Sequence, residues 1–333
     1  MSPIGSRGGG VWRETSEAGE AWSAEFPLAG PAGEPVDLRR TFRSHGLTSL
    51  PPMRLEENDG SLEVTLPMQG LRPRTVRISG GSPGYGVVSV VGPPPRREEA
   101  ADKLLTRVTY VLRLDEDLSG FYSLAAEDAE LSWVTRGAGR LFRGATVFEE
   151  VVKTLCTTNC SWSATTRMVS ALVEHLGERA PGAPETGPSG RAFPTPEAMA
   201  GVGEGFYKDV ARCGYRGKYL LALARSVTGG DLDLESLDVE PGELPDDELE
   251  RRLLALPGVG PYAAAHVMML LGRYSRLVLD SWTRPKYVRL SGQAAADAEI
   301  EGHFLRYGPY RGLAFWLYLT RDRADEPPTP TSP

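Results

Sequence analysis

The sequence predicts an α+β protein: a small N-terminal antiparallel β-domain followed by a two-lobed, all-helical region. Three observations carry this. Between residues 47 and 116, short apolar and β-branched runs are cut by Gly and Pro, as strands are. From 117 to 323 the apolar residues recur at helical spacing. Within that region, 246–272 reads as two helices joined by a glycine turn, with a lone carboxylate, Asp280, beyond them.

Taken in order, residues 1–46 are Gly- and Pro-rich with little periodicity and are expected to be disordered. The runs LEVTL, RTVRI, GVVSVV and LTRVTYVLRL are expected strands. DLSGFYSLAAEDAELSWV begins the helical part. Thr146 with Glu149 makes a capping box for the helix TVFEEVVKTLCTTN. KTLCTTNCSWSATTRMVSALVEHLGE reads as a helix pair, and 181–194 as a loop. CGYRGKYLLALARSV is helical, and 229–245 is an acidic loop. YGPYRGLAFWLYLTRD is the last helix, and 324–333 is a Pro-rich flexible tail.

The glycine turn carries chemistry. Leu249, Leu253, Leu254 and Leu256 give the helix before it an apolar face among charges. Pro257-Gly258-Val259-Gly260 stops that helix, and glycine tolerates positive φ and close approach by another molecule. Pro261 opens the next helix, where its missing N–H does no harm. Free N–H groups at such a turn and helix start form a site for one phosphate, here Gly258, Val259, Gly260, Tyr262 and Ala263. Asp280 follows about 20 residues on, behind Leu277-Val278-Leu279. The plainer alternative makes the turn a simple link between core helices and Asp280 a cap on the next one.

The string LPGVGPY with Asp280 at that distance resembles the signature of the helix-hairpin-helix DNA glycosylase superfamily, which includes endonuclease III, 8-oxoguanine glycosylase and 3-methyladenine glycosylase II. The resemblance covers about 140–323 closely and 47–139 loosely. It implies a base-excision-repair enzyme that binds duplex DNA, extrudes a damaged base and cleaves its bond to the sugar, with Asp280 as the catalytic carboxylate. It implies further that Asn159 fills the vacated space in the duplex, that Tyr215 is the wedge, and that Arg216 faces the orphaned base. Superfamily members that also cut the strand carry Lys two residues after the second turn glycine. Here that residue is Tyr262, which cannot form a Schiff base, so the similarity is to the monofunctional branch. On the last helix, Phe315, Trp316 and Tyr318 would line the base pocket. Their π faces suit a cationic, alkylated base. Ala164 stands where 8-oxoguanine glycosylase carries an Arg that helps check the opposite cytosine, which argues against that substrate. The rival readings are a non-catalytic DNA-structure binder and a glycosylase for oxidised purines or mispaired adenine.

Composition narrows the rest. No uninterrupted apolar run is long enough for a membrane span, and MSPIGSRGGG lacks a signal core, so a cytoplasmic protein is expected. Cys156, Cys160 and Cys213 cannot supply a four-cysteine iron–sulfur cluster, and His45, His175, His266 and His303 show no metal spacing. No metal and no cofactor are expected. His266 reads as a core histidine, and Lys286 as a phosphate contact or a solvated residue. The family precedent is a monomer. A net charge of −7 looks wrong for a DNA binder, but ten acidic residues fall in 229–250, which has no basic residue, and that loop is expected to face away from DNA.

Overall fold

The computed structural model describes residues 3–4, 12–14, 22–94, 98–240 and 242–322. Its first part is an antiparallel sheet of strands β1 (Pro3–Ile4), β2 (Trp12–Glu14), β3 (Ser23–Pro27), β4 (Met53–Leu55), β5 (Leu62–Met68), β6 (Leu71–Gly80) and β7 (Tyr85–Val91), in the order β1-β2-β3-β7-β6-β5-β4. Val64, Leu66, Val76, Ile78, Val88 and Val90 bury the sheet's inner face. The Thr65 and Thr75 hydroxyls meet across β5 and β6 at 2.9 Å.

Two expectations change here. Residues 22–46 are folded rather than disordered. Trp22, Ala24 and Phe26 alternate inward along β3, and helix α1 (Leu38–Phe42) is capped by Asp37, which accepts from the Arg40 amide at 3.1 Å. Second, LTRVTYVLRL is no strand. It lies mainly in helix α2 (Glu98–Leu112), whose Ala101, Leu104, Leu105, Val108, Val111 and Leu112 are buried at helical spacing beside β5. Its Val, Thr and Tyr favour strand locally, but burial of a continuous stripe outweighs that preference. The expectation for 324–333 lies outside the described residues.

The helical part runs α3 (Ser119–Ala126), α4 (Val147–Thr157), α5 (Trp162–Leu176), α6 (Pro196–Ala200), α7 (Arg216–Thr228), α8 (Asp246–Leu254), α9 (Pro261–Leu270), α10 (Thr283–Ser291), α11 (Asp297–Phe304) and α12 (Arg311–Thr320). Thr146 caps α4, accepting from the Glu149 amide at 3.1 Å, while the Glu149 carboxylate reaches the Ala145 amide instead of that of Thr146. The helices pack around two cores. One gathers α4, α5, α7 and α8, and the other gathers α3, α10, α11 and α12. Helix α9 serves both: Ala263, Ala264, Val267 and Met268 face the first core, Ala265 and Met269 the second. This explains its apolar character all round, and it sets Tyr262, at the start of α9, against both cores.

Candidate active site

The two turn glycines do different work. Gly258 has φ +78°, and a Cβ there would lie 2.7 Å from the Tyr219 ring. Gly260 is extended, and a Cβ on it would meet nothing within 4 Å, so its side faces open space. Val259 is buried and anchors the turn. No side chain caps α9, which leaves its first-turn amides to an incoming group, as the phosphate reading requires.

Asp280 is half-buried and held rigidly. Its Oδ1 accepts from the Trp282 amide at 2.8 Å and the Thr283 amide at 2.7 Å, and its own amide donates to Thr283 Oγ1 at 2.8 Å. The side chain therefore does cap α10. The cap uses one oxygen only: Oδ2 accepts from no group among the described residues, so one side of a fixed carboxylate is available for chemistry.

Burial raises the Tyr262 phenol above its usual pKa, and the Asp280 carboxylate adds to the rise. Its hydroxyl lies 3.2 Å from Thr157 Oγ1 and 3.2 Å from His266 Nδ1. His266 packs against Trp316 at 6.2 Å between ring centres and against His45 at 6.5 Å, and Trp316 packs against Trp282 at 5.9 Å. Trp316 Nε1 donates to the Ser44 carbonyl at 2.7 Å.

Of the three expected pocket aromatics, then, Trp316 alone packs on the rings of His266 and Trp282, whose amide bonds to Asp280. Phe315 and Tyr318 point into the second lobe, against Phe304 (5.3 and 5.6 Å), with Tyr287 also packed on Tyr318. The reason is helical geometry: 315 and 318 share a stripe, and 316 is turned about 100° from 315. Thr157, His266, Trp282 and the 44–46 segment were not foreseen. His266 lies one turn beyond Tyr262, and Trp282 lies two residues past Asp280, so both carried a local signal. Residues 44–46 carried none.

The expected wedge residues are also partly rearranged. Asn159, at φ +47°, donates from Nδ2 to the Tyr215 hydroxyl at 3.3 Å, and Tyr215 is half exposed. Arg216 is buried. Its guanidinium turns inward beneath the Tyr215 ring, reaching the Thr158 carbonyl and, at 3.3 Å, Thr158 Oγ1. A cation satisfies the carbonyl end of α4 better than it would open water, so Arg216 braces the Asn159 loop instead of facing outward. Tyr215 packs edge-on to Tyr219, which lies under Gly258, linking Tyr215 to the hairpin. Lys286 faces Asp322 at 3.9 Å. Cys156, Cys160 and Cys213 are free thiols, burial pushing Cys213 up to about 12. Among the described residues no group of three or more His, Cys, Asp or Glu is placed to hold a metal, and no helix is long and apolar enough to cross a membrane.

The glycine hairpin braced by Tyr219, the fixed carboxylate beyond it and the exposed Asn159 and Tyr215 beside it make up a helix-hairpin-helix site. No protein-family model matches the chain. A curated protein of Methanothermobacter thermautotrophicus, named as a probable N-glycosylase/DNA lyase, is 28% identical over 276 residues, spanning 76% of this chain and 82% of that one. Two solved structures share the fold. The apo 8-oxoguanine glycosylase/lyase of Clostridium acetobutylicum has a TM-score of 0.70 at 18% identity, covering 92% of this chain and 98% of that one. The 3-methyladenine DNA-glycosylase of Archaeoglobus fulgidus has a TM-score of 0.67 at 21% identity, covering 89% and 97%. The chain thus shares the fold of these DNA glycosylases and, over about three quarters of its length, is similar in sequence to the Methanothermobacter protein.

Proposed function

We propose that this protein is a monofunctional base-excision-repair glycosylase that hydrolyses the bond between sugar and a damaged, alkylated base in duplex DNA. The observation that carries the reading is a pair of residues: Asp280 held through Oδ1 alone, and a phenol, Tyr262, where an amine nucleophile would have to stand. As the bond lengthens the sugar becomes oxocarbenium-like, and a carboxylate held by two backbone amides opposes that charge without reorganising. Asp280 Oδ2 is suited to orient water on the sugar C1′. The amides from Gly258 to Ala263 would hold one backbone phosphate beside the lesion, while Asn159 and Tyr215 occupy the space the base leaves.

For the alkylated base, the support is the ring set formed by Tyr262, His266, Trp282 and Trp316, whose faces favour a cation by roughly 0.5–2 kcal/mol per contact. Solved structures of the fold include enzymes named for 8-oxoguanine and for 3-methyladenine, so substrate class is decided by assay. The test is single-turnover base release, by the monomer, from duplexes carrying 3-methyladenine, 7-methylguanine, hypoxanthine, 8-oxoguanine, uracil or mispaired adenine. Wild type is expected to release an alkylated base, undiminished in excess EDTA, and Asp280→Asn to lose at least about a thousandfold while still binding. Equal binding by both with no release on any duplex would make the protein a DNA-structure binder. Borohydride trapping of a covalent adduct would make it a lyase, the activity in the name of the Methanothermobacter relative.

A further inference from the structure

Among the described residues from 22 onward, three aromatic side chains stand exposed: Trp162, Tyr215 and Trp282. All three lie on segments that build the site. Tyr215 bonds to Asn159, the Trp282 amide bonds to Asp280, and Trp162 follows Asn159 by three residues, at the start of α5. The six-membered ring of Trp162 is laid on Gly46: a Cβ there would lie 3.1 Å from Cη2 and 3.5 Å from Cζ2 and Cζ3. That glycine belongs to the 44–46 segment, whose Ser44 carbonyl takes the Trp316 indole. Trp162 thus ties the Asn159 loop to the segment that holds Trp316. The contact uses only part of the ring, and Trp162 remains 46% exposed. A large ring fixed on one side and left in water on the rest marks a surface made for contact.

The surroundings of the ring suit a polyanion. From 157 to 173 the chain carries no acid and one cation, Arg167, which is exposed on α5 without an ion pair among the described residues. The exposed Ser161 and Ser163 hydroxyls, 3.1 Å apart, flank the ring and are of the kind that bonds phosphate oxygens. We infer that Trp162 is a base-stacking residue, whose exposed part takes the face of a base displaced from the duplex. The inference rests on the glycosylase reading and deepens it, because it assigns the class of DNA that the site retains: duplexes in which a nucleotide is already unstacked. A base within the stack has both π faces covered by its neighbours and shows Trp162 only an edge. A displaced base offers a whole face, and such a contact is strong enough to select one duplex over the other. Asn159 would then hold the gap while Trp162, three residues on, holds the base that left it.

The test is equilibrium binding by the full chain, without turnover, of two end-labelled duplexes of one sequence. One is fully paired, and the other carries a single unpaired adenine as a bulge. Wild type is expected to prefer the bulged duplex by about tenfold or more. Trp162→Leu keeps an apolar side chain over Gly46 but has no π face, and it should lose most of that preference while binding the paired duplex within about twofold of wild type. Trp162→Phe keeps a π face and should retain most of the preference. Equal binding of the two duplexes by wild type, an undiminished preference in Trp162→Leu, or the same behaviour in the Leu and Phe variants overturns the inference. So does a loss in Trp162→Leu that is equal on both duplexes, since the residue would then be a general contact and not a stacking one. Base release without the Trp162-dependent preference would leave the proposed function standing and the inference fallen, and the preference without base release would do the reverse.

Discussion

Single residues at the hairpin separate folding from binding. Gly258→Ala would place a methyl in the left-handed region, 2.7 Å from the Tyr219 ring, so a lower melting temperature is expected, equivalent to about 1–3 kcal/mol. Gly260→Ala meets no atom within 4 Å and keeps its backbone, so thermal unfolding should be unchanged. Its methyl would instead stand where a phosphate must approach, and duplex affinity should fall about tenfold or more. Equal melting losses in the two variants would refute this division. The glycine turn, and Asp280 beyond it, were legible in the sequence because their local conformation depends on neighbours in the chain. The pocket was less so. A helix of aromatic residues announces a buried element but not which way each stripe turns, and Phe315 and Tyr318 turn toward Phe304 in the second lobe.

At the scale of elements, α4 shows how much buried charge a helix carries when it supports a site. Its first amides, of Val147 and Phe148, donate to the Glu235 carboxylate at 3.0 and 3.1 Å. Glu149 pairs with buried Lys153 at 2.6 Å. Glu150 accepts from the Gly144 amide, but burial, reinforced by Glu149 and opposed by Lys153, pushes its carboxyl up to about 7 from an ordinary 4.5. The folded protein thus favours the protonated acid. The stability this contributes is complete below about pH 4.5 and is lost as pH rises through 7. Gln at position 150 is neutral throughout and keeps an acceptor for Gly144. Glu150→Gln should therefore gain on wild type between pH 5 and pH 8, by an amount of order 1–3 kcal/mol in urea denaturation. A pH-independent difference would refute the assignment. The capping role of Thr146 could be read from sequence, whereas Glu235 acts across 88 residues, and only the fold brings such a cap to its helix. The strand expected over 105–114 failed for the opposite reason: its local preference was legible and was overruled by the sheet it packs on.

For the whole molecule, the N-terminal segment and the acidic stretch prove to be ties. Several acids of 229–250 neutralise buried or half-buried cations: Asp238 with Arg143, Asp246 with Arg273, Asp247 and Glu250 with Arg276. Residues 22–50 bind the two parts together. The Ser44 carbonyl takes the Trp316 indole, His45 reaches the Phe142 carbonyl, and Leu47 and Leu50 join the core of the first helical lobe. Glu34 pairs with fully buried Arg140 at 2.7 Å and accepts from the Leu118 amide at 3.0 Å. Little of this was legible, since short strands and turns rich in Gly and Pro look alike whether tethered or free, although Trp22, Ala24 and Phe26 did alternate. A chain cut to residues 47–333, the boundary composition suggests, would leave Arg140 buried and unpaired, at a cost of about 3–5 kcal/mol. It would also expose the β7 edge that β3 covers and open the wall of the site behind Trp316. Such losses together rival the stability of an ordinary domain. The truncated chain should show no cooperative unfolding transition by circular dichroism, and no duplex binding, whereas 22–333 should retain both. Cooperative unfolding of 47–333 with an intact melting temperature would show that the N-terminal segment is dispensable after all.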